Sequence, residues 1–195
     1  TTNIPSFISK AEAALNRDLR LREKESDNVL SLTSGTRTVA LPTGFLEPIS
    51  LDLVISGEPN DRLIYRNHQQ ILVDANSASS RRPRYWTVDG TNIEFPNLAD
   101  QTYALTFRQL TAFGLSDSST TNWLLTNHPD LYLYGSLLQA APYMVNDSRI
   151  PTWKMYYDAA LKDVQNNAAR TRSKSSLVTD LPRVVGGGYN IRSDS

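Results

Sequence analysis

Few residues in this chain have the types and spacing that chemistry needs. There are two histidines and no cysteines. His68 sits in Arg66-Asn67-His68-Gln69-Gln70, with no second ligand at helical spacing, and His128 precedes Pro129 in a capping position. A zinc site takes three or four convergent ligands. Both histidines therefore read as surface or capping groups, and no metal is expected. Gly186-Gly187-Gly188 is followed by Tyr189-Asn190, not by the Gly-Lys-Ser/Thr that ends a phosphate-binding loop, so it reads as a hinge. Glu47, Asp52 and Glu58 are acidic, but nothing sets two of them across a sugar bond. Gly114-Leu115-Ser116 lacks the Gly-x-Ser-x-Gly elbow of hydrolases. The absence of cysteine removes disulfides, thiolate metal sites and cysteine nucleophiles. The expectation is a protein without enzymatic activity, catalytic residues or cofactor.

Basic residues offer a different chemistry. Arg81, Arg82 and Arg84 lie beside Tyr85 and Trp86, and such interleaving binds single-stranded nucleic acid by charge and stacking. The plainer reading, which we favour, is a hairpin with aromatics facing a core and arginines facing water. Twenty basic residues balance twenty acidic ones, which argues against a protein that grips nucleic acid over its whole surface. Local patches can still cancel within that total. A nucleic-acid-binding module using the Arg81 to Trp86 hairpin or the basic C-terminal tail is the alternative reading of function.

The elements that would carry these residues change period along the chain. Hydrophobic residues are 39% and charged residues 21% of 195, an ordinary globular composition. No apolar run approaches the ~20 residues that span a bilayer, so no membrane is expected. From Ile4 to Lys24, Ile4, Phe7, Ile8, Ala11, Ala14, Leu15 and Leu19 recur at three and four, which predicts a helix with a solvated face carrying Lys10, Glu12, Arg17, Asp18, Arg20, Glu23 and Lys24. From Val29 the period becomes two. Strands are expected at Val29 to Leu32, Thr38 to Leu41, Ile49 to Ile55 and Tyr103 to Leu110, with a hairpin turning at Asp89-Gly90 between Arg84 to Val88 and Asn92 to Phe95. Ile71 to Val73 is strand or helix. Ser77 to Pro83 reads as a polar loop.

The helical period returns at Asn122. Pro129 restarts a helix that Asn127 or His128 would cap. Leu131, Tyr134, Leu137 and Leu138 give its stripe, and Pro142 ends or kinks it. A last helix runs from near Pro151 to about Arg170 with Trp153, Tyr156, Tyr157, Ala160, Leu161 and Val164 inward. Trp123, Leu131, Tyr134, Leu137, Leu138, Trp153 and Tyr157 are the expected structural core. The fold class that follows is α+β: an antiparallel helical bundle (1–26 and 120–170) with an inserted small antiparallel β-sandwich or barrel (27–119) and a flexible C-terminal extension (171–195). The helices meet only if the ends of the insertion lie close in space. From Arg170 onward the chain is rich in Ser, Arg and Gly yet holds an apolar cluster, a composition suited to folding onto a partner.

Several segments in order resemble the head-to-tail adaptor (connector) proteins of tailed bacteriophages, in particular those like tail tubular protein A. They are Ile4-Pro5-Ser6-Phe7-Ile8 leading into Ala11 to Arg20, Leu41-Pro42-Thr43-Gly44-Phe45-Leu46-Glu47, Arg82 to Gly90, and Asn122 to Gly135. The resemblance implies a virion protein at the head–tail junction, assembled in the host cytoplasm. It implies a homo-oligomeric ring, usually of twelve subunits, between the portal protein and the tail tube or nozzle protein. Viral DNA would pass through its channel without sequence-specific binding. It also implies a C-terminal tail that reaches into the portal, for which the candidate residues here are Arg170, Arg172, Lys174, Leu181, Arg183, Val184, Val185 and Tyr189. Such adaptors often carry another helix before the region that begins at Thr1.

Overall fold

The structure is a computed structural model that describes residues 3–55, 57, 59–115, 120–143 and 147–175, with 76–78 and 171–175 as backbone only. Among the described residues it is a mixed α+β fold with five α-helices and several sheets, mostly antiparallel.

Helix α1 spans Ile4–Asp18, with Pro5 in its first turn, where the missing N–H costs nothing. It ends six residues earlier than the periodicity predicts. Leu19 is extended (φ −104°, ψ 120°), and a short 3₁₀ turn, Arg22–Lys24, follows. The reason lies in the side chains: Leu19 and Leu21, two apart, both enter the core, which an extended backbone permits and a helix does not.

Strand β1 (Glu25–Leu32) then starts the β region, which closes with β10 (Tyr103–Thr111). The two pair antiparallel over the whole of β1, from Glu25↔Leu110 to Leu32↔Tyr103. The chain therefore leaves and returns at one place. Between them lie β2 (Thr38–Ala40), β3 (Phe45–Val54), β4 (Asp61–Arg62), β5 (Ile64–Tyr65), helix α2 (His68–Asp74), β6 (Asn76–Ser80), β7 (Tyr85–Asp89), β8 (Asn92–Glu94) and β9 (Asn97–Leu98). One sheet has the order β1-β10-β3-β4, a second β2-β8-β7-β5, and β6 pairs with β9. The expected hairpin is present: Val88 faces Ile93, Asp89 faces Asn92, and Gly90 turns the chain at φ 55°. Both larger sheets feed one core of Leu32, Leu51, Leu53, Trp86, Ile93, Phe95, Leu105 and Phe107.

One reading left open by the sequence is settled and one local expectation changes. Ile71 to Val73 is helical, because the Asn67 side chain accepts a hydrogen bond from Gln70 N at 2.9 Å and caps α2. The polar stretch after Ala75 is not wholly loop: β6 and β9 run parallel, as do β5 and β7. Backbone pairing can recruit a serine-rich strand that no hydrophobic pattern announces.

Helix α3 (Trp123–Asn127) and helix α4 (Pro129–Ala140) follow, separated at His128, which precedes α4 without a side-chain capping bond. A 3₁₀ turn, Ala141–Tyr143, carries Pro142. Helix α5 runs from Ile150 to Ser175, past Arg170, where the sequence pattern ends. Leu15, Leu19, Leu21, Leu124, Leu131, Tyr132 and Val164 form a second core, separate from that of the sheets. At its centre α1, α4 and α5 cross at Gly135, where a Cβ would stand 3.3 Å from the Tyr157 ring and 3.4 Å from Ala11 Cβ. No helix among the described residues is long and apolar enough to cross a membrane.

Candidate functional site

The junction between the two cores is built from Asn16 on α1 and polar residues of the segment that follows it. Asn16 Nδ2 donates to Phe113 O at 2.8 Å, and Phe113 N donates to Asn16 Oδ1 at 2.8 Å. Lys24 Nζ donates to the same Oδ1 at 2.9 Å and lies 5.0 Å from the centre of the Phe113 ring. Lys24, expected on a solvated face, is only 2% exposed. Burial, reinforced by nearby Arg20 and opposed by Glu47, lowers its pKa to about 8. Ser26 and Thr111 hydroxyls meet at 2.5 Å, and Arg20 pairs with Glu47 at 2.7 Å. One helix thus grips both the outgoing and the returning chain of the β region.

A second polar link lies inside the helical core. Glu12, also expected in water, is buried and accepts a hydrogen bond from Tyr132 Oη at 3.2 Å. Asn122, whose Oδ1 caps α3 through Leu125 N at 2.8 Å, also donates to Tyr132 Oη. Burial pushes the Tyr132 phenol up to about 12, with Asn122 opposing and Glu12 adding.

Of the expected core residues, Leu131 is fully buried, Tyr134, Leu137, Leu138, Trp153 and Tyr157 are half-buried, and Trp123 is 36% exposed. Trp123 stacks on Phe113 instead, with ring centroids 6.4 Å apart, at the edge of the junction. Tyr134 stacks on Tyr156 at 5.2 Å. The helices keep a large apolar surface open. Ile4, Phe7, Ile8, Leu125, Leu133 and Leu137 line a groove of about 580 Å³ between α1, α3 and α4, and Leu133 on its rim is 56% exposed. Met155 and Tyr156 on α5 are exposed as well.

The arginine run and the histidine fall elsewhere. Trp86 is buried and donates to Leu63 O, so it is no stacking platform, while Tyr85 is half-buried beneath the Arg66 guanidinium, 3.5 Å from its ring centre. His68 has carboxylate neighbours that helical spacing could not reveal: Asp89 and Glu94, from the β7–β8 hairpin, bring ligand atoms within 4.8 Å of one another and of His68. Glu94 lies 3.6 Å from His68 Nδ1 and 3.3 Å from Arg37, which supplies the positive charge a cation would bring. His68 Nδ1 itself makes no hydrogen bond among the described residues.

Of the expected portal-binding residues, Arg170 is exposed on α5, and Arg172 and Lys174 lie on its last turns. Leu181, Arg183, Val184, Val185 and Tyr189 lie outside the described residues.

No curated protein matches the chain. A family model described as SU10 adaptor protein matches residues 1–180, which takes in both cores and the whole of the described chain. The chain therefore belongs to the SU10 adaptor protein family, a family of phage adaptor proteins.

Proposed function

We propose that this protein is a structural, non-catalytic adaptor of a tailed phage that forms a ring at the head–tail junction, joins the portal to the tail and surrounds the channel through which DNA leaves. Membership of the adaptor family over residues 1–180 carries the reading. The physical support is the open apolar groove between α1, α3 and α4. Ile4 and Leu133, each more than half exposed, stand there with Phe7, Ile8, Leu125 and Leu137 in one contiguous apolar surface of the kind that marks an interaction site. Burying one such side chain stabilises a contact by ~1.5–3 kcal/mol, and a ring repeats each contact around its circumference.

In this reading the helices act as an antiparallel bundle (1–26 and 120–170) that forms the ring, and the sheets of 27–119 act as an inserted β-sandwich borne at its side. The clamp of Asn16, Lys24 and Phe113 sets the angle between them. The chain from 171 onward is the portal anchor, with the residues from Arg170 to Tyr189 as its contacts. Co-sedimentation with portal-bearing heads tests this. The full chain should sediment with them, and a chain ending at Ala169 should not. Equal sedimentation of both would remove the anchor role, and failure of both would remove the adaptor reading.

A further inference from the structure

Around Tyr85 the fold gathers charge that the helical face does not need. Arg62, Arg66, Arg81, Arg82 and Arg84 line three clefts, of about 460, 300 and 420 Å³, which share Tyr85. Three of these guanidiniums are held by carboxylates: Arg62 by Asp52 at 2.8 Å, Arg82 by Asp61 at 2.9 Å, and Arg66 by Asp74. The other two are not. Arg81 donates to the neutral Ser79 hydroxyl at 2.9 Å, and Arg84 has no partner among the described residues. Both are exposed.

The segment carrying them is stiff. Pro83 is buried between them, Arg81 N donates to Leu98 O at 2.8 Å, and Ile64 N donates to Arg84 O at 2.9 Å. Pro83, Phe95 and Pro96 give the largest cleft an apolar floor beside its cations. Two guanidiniums without a carboxylate partner, carried on a stiff backbone beside an apolar floor, suit an elongated anion, because the segment that presents them needs no reordering when it binds.

We propose that this groove binds the sugar–phosphate backbone of a nucleic acid, independently of base sequence. A guanidinium donates two parallel N–H bonds to a phosphate, and sugar rings suit the proline floor. An acidic peptide fits less well, since it carries its charge on mobile side chains that must each be ordered at ~0.5–1.5 kcal/mol. Stacking contributes little: Trp86 is buried and Arg66 covers one face of Tyr85. The inference does not depend on ring formation.

Fluorescence anisotropy of the full chain with a labelled single-stranded oligothymidylate at low salt reads it out. The wild type should bind, and Arg81→Ala with Arg84→Ala should weaken binding about tenfold or more. The salt dependence should flatten by ~1.4 in log–log slope, the loss of two phosphate contacts at ~0.7 each. Arg22→Ala, an exposed change on the 3₁₀ turn, should leave binding unchanged. Should the double variant lose its melting transition, Arg84→Gln alone, expected to weaken binding several-fold, takes its place. No binding by the wild type, or equal binding by wild type and variants, overturns the proposal. So does displacement of the oligonucleotide by polyglutamate at matched charge, which would assign the groove to an acidic protein surface.

Discussion

Tyr132 Oη donates a hydrogen bond to Glu12 Oε1 at 3.2 Å, joining α4 to α1 across 120 residues of sequence in a buried setting. Because Asn122 also reaches that hydroxyl, the same atom ties in the segment that returns from the β region. A buried carboxylate with so few partners makes each one matter.

Tyr132→Phe should therefore destabilise the protein by ~1–3 kcal/mol, the cost of stranding a buried acceptor. Urea denaturation gives the value. A double-mutant cycle with Glu12→Gln should return a coupling of ~0.5–3 kcal/mol; a coupling near zero would mean that the contact is incidental.

Lys24 and Tyr132 also set a pH dependence. The folded protein holds Lys24 at about 8, below its ordinary 10.5, so between those values the unfolded chain binds more protons and stability rises with pH. Tyr132 works in the opposite sense: raised from 10.0 to about 12, its contribution is complete below pH 10 and is lost as pH climbs through 12. Urea midpoints against pH should rise from pH 8 to 10 in the wild type, and Lys24→Met should abolish the rise. A rise of equal size in the variant would assign it to another group.

Gly135→Val should destabilise by at least ~1–3 kcal/mol, through overpacking where Tyr157 and Ala11 crowd the α-carbon. Thermal melting is sufficient to see it. A melting temperature equal to the wild type's would show that the three helices can separate without loss.

Asn16→Ala should cost ~1–3 kcal/mol and speed hydrogen exchange at the Phe113 amide, which loses its acceptor. Glu47→Ala, which removes the Arg20–Glu47 pair and leaves the bonds from Arg20 to the end of α1, should move stability by under ~1 kcal/mol, because the pair is solvent-accessible. The reverse order of effects would mean that charge, not the Asn16 clamp, joins helix to sheet.

Much of this was legible in the sequence, and the rest was hidden for identifiable reasons. Asp89-Gly90 announces its hairpin because a tight turn demands positive φ at few residue types. Pro129 announces the start of α4. Glu12 and Lys24 do not announce their burial, because the groups that cover them, Tyr132 and the Phe113 ring, lie far along the chain, although Lys24 also bonds to nearby Asn16. Helix periodicity assigns such charges to water by default. The contacts of His68 with Asp89 and Glu94 and the cleft around Tyr85 were hidden likewise, since both depend on how α2 and the short strands fold against the hairpin.

We propose that the open helical face closes a ring on the portal. Electron cryo-microscopy of purified portal mixed with this protein, as wild type and as Leu133→Asp, tests it most directly. Wild-type subunits should form a closed ring docked on the portal, with Leu133 covered by a neighbour, and the aspartate variant should form none while still melting cooperatively as a monomer. A portal that remains bare in the presence of the wild-type protein would contradict it.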